Sequence, residues 1–263
     1  RQKISMFTNV TTDDVFSCHD AKSIFMIPQM LYEQGLVDVI FKKFARVGYV
    51  NTSKNWDSWN MIVDSLQKID DPIKIAMVGK YVTLVDSYVS VNEALKHASA
   101  SIGRSVNIDW IDSETFNGDL NKLDNFDGVL VPGGFGTRGS EGIIDTATYT
   151  LEKNIPYLGI CFGFQLAAIA FGRKICSLEN ANSTEIIADT KNPIIDLLPE
   201  QKDETDMGGS LRLGANEIKI SHDSLAHKIY NSDKISKRHR HRYEFNTKYR
   251  DEFLKKEIGR AHV

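Results

Sequence analysis

Apolar and polar positions follow two regimes along the chain, and the change falls near residue 72. Before it, the pattern gives a strand at Lys3–Phe7 and then two short helices. Pro28 suits the first turn of one helix. Gly35 punctuates, and Val37, Ile40, Phe41 and Phe44 mark the next helix with helical spacing. Residues 47–71 are polar, with a helix at Trp59–Gln67, and Asp70, Asp71 and Pro72 end it directly before a new apolar run. From residue 73 the regime is strand, helix, strand. Ile73–Val78, Val106–Ile111, Gly128–Val131 and Tyr157–Ile160 read as strands. Tyr88, Val91, Leu95, Ala98 and Ile102 form a helix face, and helices fit at 140–153 and 163–172.

This alternation predicts an α/β fold, an open and mainly parallel sheet with helices on both faces. Residues 185–246 are less regular and read as antiparallel strands, Gly209–Leu213 and Glu217–Ser221, with a helix near Leu225–Tyr230. The chain then ends in a polar helix, Tyr249–Ile258. The organisation is a first segment at 1–46, a linker at 47–71 and a main domain at 72–263.

Composition narrows the classes. The 263 residues carry 32 Lys plus Arg against 35 Asp plus Glu, a net charge of −3, which does not favour nucleic acid or an anionic membrane. No apolar run approaches the ~18 residues of a membrane span. Cys18, Cys161 and Cys176 form no disulfide framework, and so sparse a set suits a reducing, cytoplasmic setting. The first residues, RQKISMFTNV, lack the plan of a signal peptide and an initiator Met, so the chain is expected to be a piece of something longer.

Candidate chemistry concentrates in three stretches. In Ile155–Phe171 an apolar strand runs into Gly159-Ile160-Cys161-Phe162-Gly163 and an apolar helix leaves. Glycines two residues either side of a nucleophile permit a strained strand-to-helix turn. That turn places the thiol at the C-terminal edge of the sheet and at a helix N-terminus, which favours thiolate. Upstream, Val131-Pro132-Gly133-Gly134-Phe135-Gly136 follows a strand, and such glycines let backbone N–H groups face an oxyanion. Third, Lys237–Glu244 read as one strand puts Arg238, Arg240 and Arg242 on one face and His239, His241 and Tyr243 on the other. It is either a solvated basic edge or a carboxylate clamp. His239 and His241 have no acidic or Cys partner at ligand spacing, so no metal is expected there.

With Cys161, Gly133-Gly134 and the Arg-His run together, the chain resembles the class I glutamine amidotransferases. KISMFTNV, MVGKY, VPGGFGTRG, PYLGICFGFQLA, ENANSTE, MGGSLRLG and RHRHRYE stand in the order found in the CTP synthase family, and the resemblance covers residues 3–246. It implies a glutaminase domain preceded by the end of a synthetase domain, so that residues 1–46 close the synthetase part. It makes Cys161 the nucleophile that attacks the glutamine side-chain amide, and Gly134 and Phe162 the oxyanion hole. Gly134, Phe162, Gly163, Phe164, Gln165, Glu185 and Arg242 would hold glutamine. Charge logic fits the last two, since an ammonium wants Glu185 and a carboxylate wants Arg242. Lys3 and Ala21 match positions that contact nucleotide in the synthetase half. The whole enzyme would make CTP from UTP, ATP and glutamine-derived ammonia, with Mg²⁺, with GTP as activator, and as a homotetramer.

Two departures stand out. Phe162 and Phe164 replace the family's common Leu and Met. The family's catalytic His and Glu lie in an H-P-E stretch roughly 45 residues past the Arg242 position, and none of the seven histidines here is followed by x-Glu. The tail EIGRAHV does not resemble the family. This chain alone is therefore expected to be a poor glutaminase. A non-catalytic module with the same fold is the alternative; another class I amidotransferase or a gamma-glutamyl hydrolase is opposed by ANSTE, RHRHRYE and residues 1–46.

Overall fold

The computed structural model describes all residues except 45–53, 68–70, 83–84, 115–118, 198–211 and 257–263. Two compact units are present, Arg1–Ile73 with Asn92–Val106, and Lys74–Val91 with Asn107–Val263. The first contains α1 (Gln2–Thr8), α2 (Ile27–Glu33), α3 (Leu36–Lys43) and α4 (Lys54–Gln67). Lys3–Phe7 is therefore helical, not a strand. Thr8 donates its hydroxyl to the Ile4 carbonyl at 2.8 Å, and Ile4, Met6 and Phe7 stay exposed. The linker expected at 47–71 holds, in its described part, the fourteen-residue α4. Trp59 Nε1 of α4 donates to the Phe25 carbonyl at 2.7 Å, within the first unit. Pro28 sits in the first turn of α2, and Gly35 (φ 80°) makes the left-handed joint to α3.

The second unit is built on β1 (Ile73–Gly79), β2 (Val106–Asp112), β3 (Gly128–Val131), α6 (Ser140–Lys153), β4 (Tyr157–Gly159) and α7 (Phe162–Lys174), while α5 (Val89–Ile102) belongs from Asn92 onward to the first. The sheet order is β2-β1-β3-β4, with β1, β3 and β4 parallel. Fully buried Ala76, Met77 and Val78 of β1 and Val129, Leu130 and Val131 of β3 give the apolar runs that a sheet covered on both faces requires. Leu166, Ile169 and Ala170 of α7 bury against the same core. Because these strands are parallel, the ends of β1, β3 and β4 share one edge, where open α/β sheets build sites.

The remainder departs from expectation. β5 (Ala181–Ser183), β6 (Asn192–Leu197) and β9 (Tyr243–Phe245) form a second sheet. A single strand, β7 (Arg212–Lys219), replaces the two expected at Gly209–Leu213 and Glu217–Ser221, of which 209–211 lie outside the described residues. It continues through Gly214 (φ 81°) because β8 (Lys234–His241) pairs along its whole length, Gly214 opposite His239 and Asn216 opposite Lys237. Between them, α8 (Leu225–Tyr230) stands as expected, with Ser224 capping it. The last described helix, α9 (Arg250–Lys255), is shorter than Tyr249–Ile258; Tyr249 belongs to a preceding 3₁₀ turn and Ile258 is outside the described residues. Among the described residues no single helix is long and apolar enough to cross a membrane.

Candidate active site

Cys161 stands between β4 and α7 with φ 55° and ψ −110°, a conformation that L-residues rarely adopt. Three contacts impose it. The Ile160 N–H donates to the Val131 carbonyl at 2.9 Å, the Gly163 N–H to the Ile160 carbonyl at 3.0 Å, and the Gln165 N–H to the Cys161 carbonyl at 3.1 Å. The two flanking glycines have a concrete reason. A Cβ on Gly159 would lie 2.5 Å from the Gly163 carbonyl carbon, and one on Gly163 would lie 2.3 Å from the Val131 oxygen.

The loop after β3 closes over this turn. A Cβ on Gly133 would lie 3.9 Å from the Cys161 sulfur, so the absent side chain leaves the thiol reachable. The backbone N–H groups of Phe162 and Gly134 both act on the thiol. They draw its pKa down, as a helix start should, yet burial outweighs them and Glu185 adds to it. The Cys161 thiol lies above its ordinary value. The expected preference for thiolate is thus reversed in the absence of another charge.

Lys80, at the end of β1, shapes that loop, and nothing in the sequence reading singled it out beyond the MVGKY stretch. It is 6% exposed. Its Nζ donates to the carbonyls of Phe135 (2.8 Å) and Gly136 (2.6 Å) and lies 4.2 Å from the centre of the Phe162 ring. Burial, the largest cause, lowers its pKa to about 8. Phe162 itself is buried, so its extra volume is taken up beneath the loop against Lys80. Glu185 fixes the other side, accepting from the Gly136 N–H at 2.7 Å.

These groups line a cavity of about 330 Å³ whose walls include Cys161, Gln165, Glu185, Arg240, His241 and Arg242. Glu185 and Arg242 thus meet at one cavity. Gln165 anchors its wall, donating from Nε2 to the Tyr243 carbonyl at 2.7 Å. Gly163 packs on Val131 and Phe164 is exposed; neither lines the cavity. Lys3, exposed on α1, and Ala21, half-buried, belong to the first unit.

The Arg-His run is not one strand. β8 ends at His241, Arg242 turns the corner, and β9 pairs with β6 in another sheet. Alternation therefore fails at Arg242, and His241 and Arg240 reach the cavity with it. The reading that turned His241 away from Arg242 therefore does not hold, while Arg240 is exposed at the cavity rim. Burial, then His239 and Arg212, lower the His241 pKa. A larger, open groove of about 590 Å³ lies beside α6 and α7, but Arg173 and Glu141 in its wall are engaged in a bidentate pair and, among the described residues, no cysteine lines it.

A strained cysteine at a strand-to-helix turn, a glycine loop set against it and a cavity holding both a carboxylate and a guanidinium suit a thiol that acts on an amide. The family model for glutamine amidotransferase class-I matches residues 83–262, and the chain belongs to that family. A CTP synthase N-terminus model matches residues 1–46. CTP synthases from Staphylococcus haemolyticus and Pyrococcus abyssi are 44% and 43% identical over 254 and 256 residues, covering 96% and 97% of this chain. The chain spans about half the length of these relatives, 47% of each. The Trypanosoma brucei CTPS glutaminase domain, solved with bound acivicin, superposes with a TM-score of 0.66 at 32% identity, covering 70% of this chain and 72% of that one.

Proposed function

We propose that this chain is the glutamine-hydrolysing part of a CTP synthase. The observation that carries the reading is the strained Cys161 at a cavity that also holds Gly134, Glu185 and Arg242, with the Phe162 and Gly134 backbone N–H groups beside the thiol. The Cys161 sulfur adds to the side-chain carbonyl carbon of L-glutamine, and the two N–H groups take the charge on oxygen. The C–N bond breaks, the nitrogen leaves as ammonia with an added proton, and water cleaves the thioester to glutamate. Glu185 receives the substrate ammonium, Arg242 its carboxylate, and Gln165 keeps the wall in place. The ammonia feeds ATP-dependent amination of UTP to CTP in the synthetase half, for which Mg²⁺, the activator GTP and a homotetramer are the family's arrangement. Lys3 and Ala21 are the part of the nucleotide site carried here. Among the described residues the first unit gathers no cluster of metal ligands.

Arg242→Ala in a CTP synthase carrying this chain is expected to raise the KM for glutamine by ~10–100-fold, the loss of a charge-assisted pair. CTP formation from added ammonia should change little. Equal loss with both nitrogen sources would make Arg242 structural.

Taken alone, the 263-residue chain turns over glutamine slowly. The histidine at the cavity is His241; the charged groups acting on it are His239 and Arg212, and among the described residues no carboxylate orients it as a triad's third member does. Ammonia release should fall ~10³-fold or more below that of the chain joined to an H-P-E-bearing family C-terminus. Comparable turnover by both, abolished by His241→Ala, would show that His241 is the base.

A further inference from the structure

At the far end of the β7–β8 hairpin, three side chains form a cluster with no part in the amidotransferase site. His222 Nδ1 lies 2.8 Å from His227 Nε2, and each nitrogen lies 3.1 Å from Asp233 Oδ1. The rings meet edge to face, with centroids 4.3 Å apart. We propose that His222, His227 and Asp233 form a binding site for a borderline divalent cation of the Zn²⁺ type.

The donor set is the first argument. Two imidazoles and one carboxylate suit Zn²⁺ and its neighbours, not Mg²⁺ or Ca²⁺, which want oxygen. Geometry is the second. A point ~2.1 Å from all three donor atoms exists about 1 Å out of their plane, so the cluster supplies one face of a tetrahedron and leaves the fourth position to water. The present spacings are a few tenths of an ångström tighter than the ~3.3 Å between ligands of a tetrahedral ion. His222 and Asp233, 76% and 70% exposed as side chains, have room to open by that amount. The ring protons move to Nε2 of His222 and Nδ1 of His227, which frees the facing lone pairs.

The third argument is preorganisation. The Ile220 N–H donates to the Asp233 carbonyl at 2.8 Å, which holds the two ends of the connection together. Ser224 donates its hydroxyl to the Ser221 carbonyl at 2.6 Å and accepts from the His227 N–H at 3.1 Å, which sets the turn carrying both histidines. The neighbouring cation, Lys234, is turned to Glu217 at 3.1 Å and does not occupy Asp233. The backbone bearing the ligands is therefore fixed before any ion arrives. Along β8 the cluster adjoins Lys234 while the glutamine cavity adjoins His241, so the two sites sit at opposite ends of an eight-residue strand.

The test is a Zn²⁺ titration of the chain against a chromogenic chelator, beside His222→Ala, Asp233→Asn and Cys161→Ser. One equivalent should bind, and Cys161→Ser should keep it. His222→Ala and Asp233→Asn should each weaken it ~10²-fold, at least the loss seen when even an outer partner of a ligand is removed. X-ray absorption of the one-to-one complex should show nitrogen and oxygen neighbours at ~2.0–2.1 Å and no sulfur. Both substituted side chains are exposed, so the variants retain their circular dichroism. Unchanged affinity in His222→Ala and Asp233→Asn, loss of the site in Cys161→Ser, sulfur in the absorption spectrum, or no one-equivalent binding would each overturn the proposal.

Discussion

Cys161→Ser in a CTP synthase carrying this chain is expected to cut glutamine-dependent CTP formation by ~10³-fold or more, because a serine hydroxyl in this turn lacks the ionisation and nucleophilicity of a thiol. Ammonia-dependent formation should persist, since the substitution removes one atom's chemistry and no packing. The pH behaviour of the same residue follows from its surroundings. Burial and Glu185 raise the thiol's pKa above the ordinary value, against the pull of the Phe162 and Gly134 amides. A raised thiol pKa means less thiolate at neutrality. Alkylation of Cys161 by iodoacetamide, followed by peptide mass spectrometry, should therefore keep climbing with pH through and beyond the ordinary thiol range. A rate already flat at neutral pH would mean the amides win over burial. Loss of ammonia-dependent activity in Cys161→Ser would mean that the residue supports the fold and not only the chemistry.

Gly163→Ala should be severely destabilising. Its Cβ would stand 2.3 Å from the Val131 oxygen and 2.9 Å from the Val131 carbonyl carbon, both fixed in the central strand β3. Neither is the movable end of a side chain, so helix and strand must separate. The expected cost is about 3 kcal/mol, the upper range for overpacking, or a fall in Tm of roughly 6–12 °C for a body of this size. Gly134→Ala is the matched control. Its Cβ would meet Phe162 and Lys80 at 3.5 and 4.0 Å, ordinary contacts. It should unfold within a few degrees of the parent while perturbing the amide that faces Cys161. Equal melting temperatures for the two variants would refute the account of why glycine stands after the nucleophile.

The sequence alone determined the central sheet and the nucleophile turn. Apolar runs at Gly128–Val131 and Tyr157–Ile160, the helix 140–153 and the spaced glycines about Cys161 are local signals, because a buried parallel strand and its following helix write their burial into consecutive residues. Charge and resemblance singled out Glu185 and Arg242, which meet at one cavity. The tertiary structure decided whatever depends on a distant partner. Lys3–Phe7 lacks a described ladder partner and coils into α1. Gly214-Ala215-Asn216, which locally invites a turn, is held extended by β8. The corner at Arg242, which brings Arg240 and His241 to the cavity, exists because β8 and β9 pair in different sheets, and no period in RHRHRYE encodes that. Lys80 gained its place the same way: only the approach of the β3 loop to the end of β1 supplies the two carbonyls that make burying an ammonium tolerable.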